Sequence, residues 1–161
     1  MFSVVNDKMI VSLDGDKLVR LWELFGKGED AYSSAQPKRI LIGTDSLPVA
    51  LFALQGGRFV GAVCASGAVV VWVTDSGSIA LKGSITASLT SSSSVEAYVV
   101  ECDGQVRIAA SHMNIESGQH LMLYEVNFDG IRPELKCLCR YDASHIAEKV
   151  ETLADFLRLQ H

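Results

Sequence analysis

"GGRFVGAVCASGAVVVWVT", residues 56 to 74, carries no charged side chain after Arg58. A membrane-spanning helix needs about 20 predominantly apolar residues, and this run falls short of that. Ser66-Gly67 sits at its middle as a turn signal and divides it into two strand-length halves. Val69, Val70, Val71 and Val73 surround Trp72; β-branched side chains lose rotamer freedom in a helix and pack well on a pleated surface. The segment therefore predicts a hairpin rather than a membrane span. Its lack of polar alternation has a cause as well, since a strand whose sheet is covered on both faces reads as a nearly continuous apolar run.

Two further segments share this plan. "NDKMIVSLDGDKLVRLWEL" (6 to 24) and "DGQVRIAASHMNIESGQHLMLYEV" (103 to 126) each run through a polar turn, an apolar stretch, a second turn with glycine, and an apolar stretch ending on an aromatic. The aromatics Trp22, Trp72 and Tyr124 recur at intervals of 50 and 52 residues. Alone, "DKLVRLWEL" (16 to 24) favours a helix, because Lys17, Arg20 and Glu23 recur every third residue. The valine-rich second copy overrides that reading and makes all three runs strands. Trp22 and Trp72 are then equivalent positions, both expected to be largely buried.

Between the copies lie "KRILIGT" (38 to 44), "PVALFAL" (48 to 54), "SIALKGSIT" (78 to 86), "SVEAYVVE" (94 to 101) and "ELKCLCRY" (134 to 141), separated by turns rich in Gly, Ser and Asp. Each repeat counts four strands, the first completed by "FSVV" (2 to 5). Four short antiparallel strands per repeat of about 50 residues is the unit of a β-propeller blade.

"DGDKLVRLWEL" and "SGAVVVWV" resemble the third strand of a WD-repeat blade, and "QGGRFVGAVCASG" resembles the second strand before it. The likeness covers roughly residues 5 to 141. Glu23, Val73 and Glu125 stand where that family places an Asp after the aromatic, and no Gly-His pair opens a blade, so the resemblance is to a divergent member. It implies an all-β fold, an incomplete β-propeller of about three four-stranded antiparallel blades. The blades fall at about 1–44, 48–86 and 94–141, within a propeller segment spanning 1–142. The implied role is a non-catalytic scaffold or subunit mediating protein–protein interactions in a multi-subunit intracellular complex, cytoplasmic or nuclear.

Three blades do not close a ring, since propellers use typically four to eight. Other protein subunits, another copy, or further blades of a longer propeller are expected to cover the open ends. From Ser144 to Gln160 the pattern changes: Ile146, Val150, Leu153 and Leu157 are spaced 4, 3 and 4 apart, one stripe of an amphipathic helix over 143–161 with Asp142 or Ser144 as N-cap. That stripe is the expected protein interface, buried either on the open face of the third blade or on a partner.

The net charge is −5 and the pI about 5.3, and Lys and Arg gather into no stripe, so nucleic acid is not an expected direct ligand. The alternative from another class is an accessory subunit of an RNA-processing or ribosome-assembly particle with loop contacts to RNA. Cys64, Cys102, Cys137 and Cys139 read as reduced intracellular thiols. Cys137 and Cys139, two apart on one strand, would share a face and make half of a zinc site, but no second Cys or His pair completes it, so no metal is expected.

His112, His120 and His145 are the candidate bases, and Cys64 or Cys102 the candidate nucleophile. His112 and His120 flank the polar loop "HMNIESGQ" (112 to 119) and are expected in solvent, while Cys64 lies in the most apolar strand, where burial silences a thiol. Asp14-Gly15-Asp16 reads as a hairpin turn, and "GKGED" (26 to 30), without Walker spacing, as a blade-edge loop. "TASLTSSSS" (86 to 94) reads as a plain inter-blade linker in preference to a phosphorylation segment. No convergent catalytic set emerges, and no enzyme activity, cofactor or small-molecule substrate is expected.

Overall fold

In the computed structural model the described residues are 1–23, 36–85, 95–102, 105–114, 118–128 and 132–142. The predicted helix 143–161 with its interface residues Ile146, Val150, Leu153 and Leu157, the "GKGED" loop and the tract 86–94 lie outside them. The apolar, β-branched runs form twelve strands in three antiparallel sheets among the described residues. The first sheet holds β1 (Phe2–Asn6), β2 (Met9–Leu13), β3 (Val19–Glu23) and β4 (Arg39–Leu41). The second holds β5 (Pro48–Leu54), β6 (Phe59–Cys64), β7 (Ala68–Val73) and β8 (Ile79–Ser84). The third holds β9 (Val95–Cys102), β10 (Gln105–Asn114), β11 (Gly118–Asn127) and β12 (Glu134–Asp142). Spatial order equals chain order in every sheet.

Residues 59–74 form the β6–β7 hairpin, turned at Ala65–Gly67 where Gly67 takes a positive φ of 84°. All of β6 is buried, and so is β7 up to Trp72. Both faces of this central sheet are covered, which is why its sequence does not alternate. One face gives Leu51, Val60, Ala62, Val70 and Trp72 to a cluster shared with Val5, Val11, Val19, Leu21 and Leu41 of the first sheet. The other gives Phe52, Leu54, Phe59, Val63 and Val71 to a cluster shared with Val95, Val106, Ile108 and Val126 of the third. Gly61 is required where it stands, because a Cβ there would collide with the ring of its cross-strand partner Phe52. The leading strands converge, with β1 against β5 and β5 against β9.

Two features depart from the sequence reading. The loop expected at 112–119 is mostly strand, since β10 runs on to Asn114 and β11 begins at Gly118, with His112 paired opposite His120. His120 is accordingly buried rather than solvated. Second, β12 carries a one-residue bulge at Leu138: Leu123 pairs with Cys139, and Tyr124 with Cys137. Adjacent residues of a strand point to opposite faces, so the two-residue spacing does not place both thiols on one face. The second sheet has the same irregularity at the same place, where Val71 pairs with Leu81 and Trp72 with Ile79, leaving Ala80 extra.

Candidate interaction face

The first sheet turns one face toward the second sheet and leaves the other open. Alternation puts Val5, Val11, Val19, Leu21 and Leu41 inward, where they are buried, and Phe2, Val4, Ile10, Trp22 and Ile40 outward. Phe2 is 72% exposed, Val4 62% and Ile40 45%. The corresponding face of the second sheet, carrying Leu51, Val60 and Trp72, is sealed against the first sheet. Trp22 is partly exposed where Trp72 is fully buried, because no neighbouring sheet among the described residues covers it. Its position on the third strand is nevertheless the equivalent one: Trp22 pairs with Ile10, Trp72 with Val60 and Tyr124 with Ile108.

A polar strip borders this apolar face. Trp22 donates its indole N–H to Ser12 Oγ at 2.8 Å, and Ser12 Oγ lies 3.3 Å from Asp14 Oδ1. Arg20 grips Asp16 through both terminal nitrogens and Asp14 through one. The hydrogen bond from Arg20 pulls the Asp16 carboxyl down from 3.8 to about 2, helped by the Leu18 amide donating to Oδ1. The Asp14–Asp16 segment is thus a hairpin turn fastened by its own arginine. The face offers a partner an apolar centre with a fixed charged edge.

Among the described residues the candidate bases and nucleophiles form no comparable assembly. Cys64 is fully buried, and burial pushes its thiol above the usual value, with the Asp45 charge adding to it. The side chains of Cys102 and His112, and all of His145, lie outside the described residues. Cys137 is exposed and Cys139 partly so, and no group of three metal-ligating side chains occurs among the described residues. A cleft of about 320 Å³ is lined by Arg58, Phe59, Val73, Ile79, Ala80 and Arg132. Another of about 120 Å³ lies where β1, β5 and β9 converge, walled by Val4, Phe52 and Val99 with Glu101 at its margin. Neither is lined by a histidine or cysteine among the described residues. No helix of the described residues is long and apolar enough to cross a membrane.

The sequence reading named the C-terminal stripe as the interface and missed the face of the first sheet. A signal was present: Phe2, Val4, Ile10, Trp22 and Ile40 share one parity across four paired strands, but that is visible only once the register is known.

No protein-family model matches the chain, and no curated protein matches it. Solved structures do. The complex of the fission yeast SREBP–SCAP binding domains contains a chain that superposes with a TM-score of 0.53 at 12% identity, over 88% of this chain and 36% of that one. The crystal structure of the WD40 domain of SCAP from fission yeast gives a TM-score of 0.49 at 13% identity, over 88% of this chain and 31% of that one. The chain thus spans about a third of the length of these solved chains. The likeness is one of fold: three successive four-stranded blades of the WD40 propeller type.

Proposed function

We propose that the protein is a non-catalytic, blade-built scaffold that joins a larger intracellular protein assembly through the open face of its first blade. The observation that carries this is the exposure of Phe2, Val4 and Ile40 on a sheet face whose counterpart on the second blade is sealed by a neighbouring sheet. Each such side chain left in water forgoes about 1.5–3 kcal/mol of burial, so a complementary sheet face laid over it gains readily. Elsewhere in the molecule this kind of face is covered by the opposite face of the preceding blade, and a protein partner with a flat apolar sheet surface fits the same role. The fold supports the reading, since WD40-type propellers generally mediate protein–protein contacts, and the similar fission yeast chain was solved in a complex of SREBP–SCAP binding domains. The acidic balance disfavours the RNA-contacting alternative.

A photo-crosslinker at Val4 tests the proposal. It should join the chain to one protein at a defined stoichiometry, and Phe2→Asp with Ile40→Asp should abolish that product without lowering the melting temperature. Retention of the same crosslinked product in the double variant would sink it.

A further inference from the structure

Acidic side chains outnumber Lys and Arg by 19 to 14, and several cations have found one: Arg20 pairs with Asp14 and Asp16, Lys38 with Glu23 and Arg107 with Glu125. Arg58 and Arg132 have not. Among the described residues neither side chain enters an ion pair or a hydrogen bond. They belong to different blades, Arg58 standing just before β6 and Arg132 just before β12, yet both line the same cleft of about 320 Å³. The rings of Phe59 and Phe128 join the two blades with centroids 4.5 Å apart, and the Arg58 guanidinium lies over the Phe59 ring at 5.3 Å. A guanidinium held by a ring keeps its N–H edge for an oxyanion. The rest of the lining is apolar: Phe59, Val73, Ile79 and Ala80. Ile79 is 47% exposed, and Val73 and Ala80 are only partly buried. Ala80 is the extra residue of the β8 bulge and drops out of the pairing with β7, while β8 is the outermost strand of its sheet. An apolar floor, a free strand edge and two unpaired guanidinium groups meet at one place.

We propose that this cleft between the second and third blades binds an extended acidic peptide of a partner protein, seating one apolar side chain on Phe59, Val73 and Ala80 and giving the neighbouring carboxylates to Arg58 and Arg132. Each guanidinium presents a planar fork of donors that matches one carboxylate, so two arginines suit a segment with two acids. Two cations in a chain of net charge −5 do not suit the long polyanion of a nucleic acid, which needs a basic stripe. The volume lies at the lower end of the roughly 300–1,000 Å³ of ligand clefts and takes one large side chain with its flanking backbone. An extended segment also uses the free edge of β8, where backbone groups add affinity and the cleft adds specificity. This site is separate from the open face of the first blade, and the inference stands independently of what that face binds.

The test probes the full chain with an array of synthetic peptides, each carrying a single leucine, isoleucine, methionine or phenylalanine flanked by glutamates, and titrates the best binders by fluorescence anisotropy. Saturable binding that weakens with added salt is expected. Replacing the glutamates by glutamine should lower the affinity about tenfold or more, and this comparison uses the unaltered protein, so it holds even where a variant fails to fold. Arg58→Ala with Arg132→Ala should cause a similar loss, and Ala80→Glu, which puts a carboxylate into the cleft itself, should displace the peptide. Arg140→Ala, at an exposed arginine that does not line the cleft, should leave the affinity unchanged, as should Phe2→Asp with Ile40→Asp on the first blade. An array without binders, equal affinity for the glutamine peptides, or undiminished binding to either cleft variant overturns the proposal. Tighter binding of phosphoserine peptides than of the glutamate peptides also overturns it, by assigning the two arginines to phosphate.

Discussion

Trp72 donates its indole N–H to the carbonyl oxygen of Ile42 across the junction of the first and second blades, at 2.8 Å. Tyr124 repeats the contact one blade on, its hydroxyl donating to the carbonyl of Ile85 at 2.7 Å. Ile42 follows directly after β4 and Ile85 directly after β8, so each aromatic ties its blade to the exit of the preceding blade's outer strand. Trp22 uses Ser12 of its own sheet instead. Ala62 and Ala110 occupy the positions equivalent to Ser12, so no hydroxyl stands at that position for the later two aromatics.

Removing this tie from Tyr124 should be measurable on its own. Tyr124→Phe keeps the ring and deletes the bond, and urea denaturation should show a loss of about 1 kcal/mol. An unchanged midpoint would mean that the carbonyl of Ile85 is equally well served by water.

The tryptophans should differ in weight despite their equivalent positions. Trp72→Ala removes a fully buried ring and should destabilise by about 3–5 kcal/mol, whereas Trp22→Ala should lose roughly half as much, since its face is partly in water. Equal losses in the isolated chain would show that the open face is covered in solution.

Tyr124 also predicts behaviour in base. Burial first, and the neighbouring Cys137 second, push its hydroxyl from 10 up to about 12. The unfolded chain therefore ionises first, and the contribution of this group is complete below pH 10 and lost as pH rises toward 12. Denaturation midpoints of the native chain and Tyr124→Phe should converge over that window.

In acid the sign reverses at Asp16. Its carboxyl is held near 2 against an ordinary 3.8, so its contribution is present above that ordinary value and disappears as pH falls through the lower one. Asp16→Asn should flatten the stability profile between these limits, and an unchanged profile would show that Arg20 finds equal support from Asp14 alone.

Thiol reactivity offers a direct check on the cysteine environments. In the native protein a thiol reagent should modify Cys137 rapidly and Cys64 only on unfolding, as burial and the raised thiol pKa require. Mass mapping of the modified peptides distinguishes the two.

The strands were legible wherever composition and local chemistry act alone. The valines around Trp72, the Ser66-Gly67 turn and the recurrence of Trp22, Trp72 and Tyr124 predict the hairpins, and "FSVV" supplies β1 as expected. Register was not legible. The bulges at Ala80 and Leu138 are single-residue events fixed by how two strands meet, and they undo the shared-face reading of Cys137 and Cys139. His120 is buried because β10 and β11 outrun the point where polar residues suggested a loop. The face built on Phe2 and Ile40 joins residues distant in the chain, which no local pattern links. The stripe at Ile146, Val150, Leu153 and Leu157 lies outside the described residues.

Because spatial order equals chain order in every sheet, the molecule has a built-in sequence of assembly. Contacts within a blade are local and close early, whereas burial of Val11, Leu21 and Leu41 waits for Trp72 and its neighbours. During synthesis at about 5–20 residues per second, the inward face of the first blade therefore waits several seconds for the second blade. After that interval its inward face is sealed by the second blade, whereas Phe2 and Val4 on the outward face stay exposed. The face proposed for docking is in this sense complete as soon as the first blade forms, ahead of the burial that completes the core.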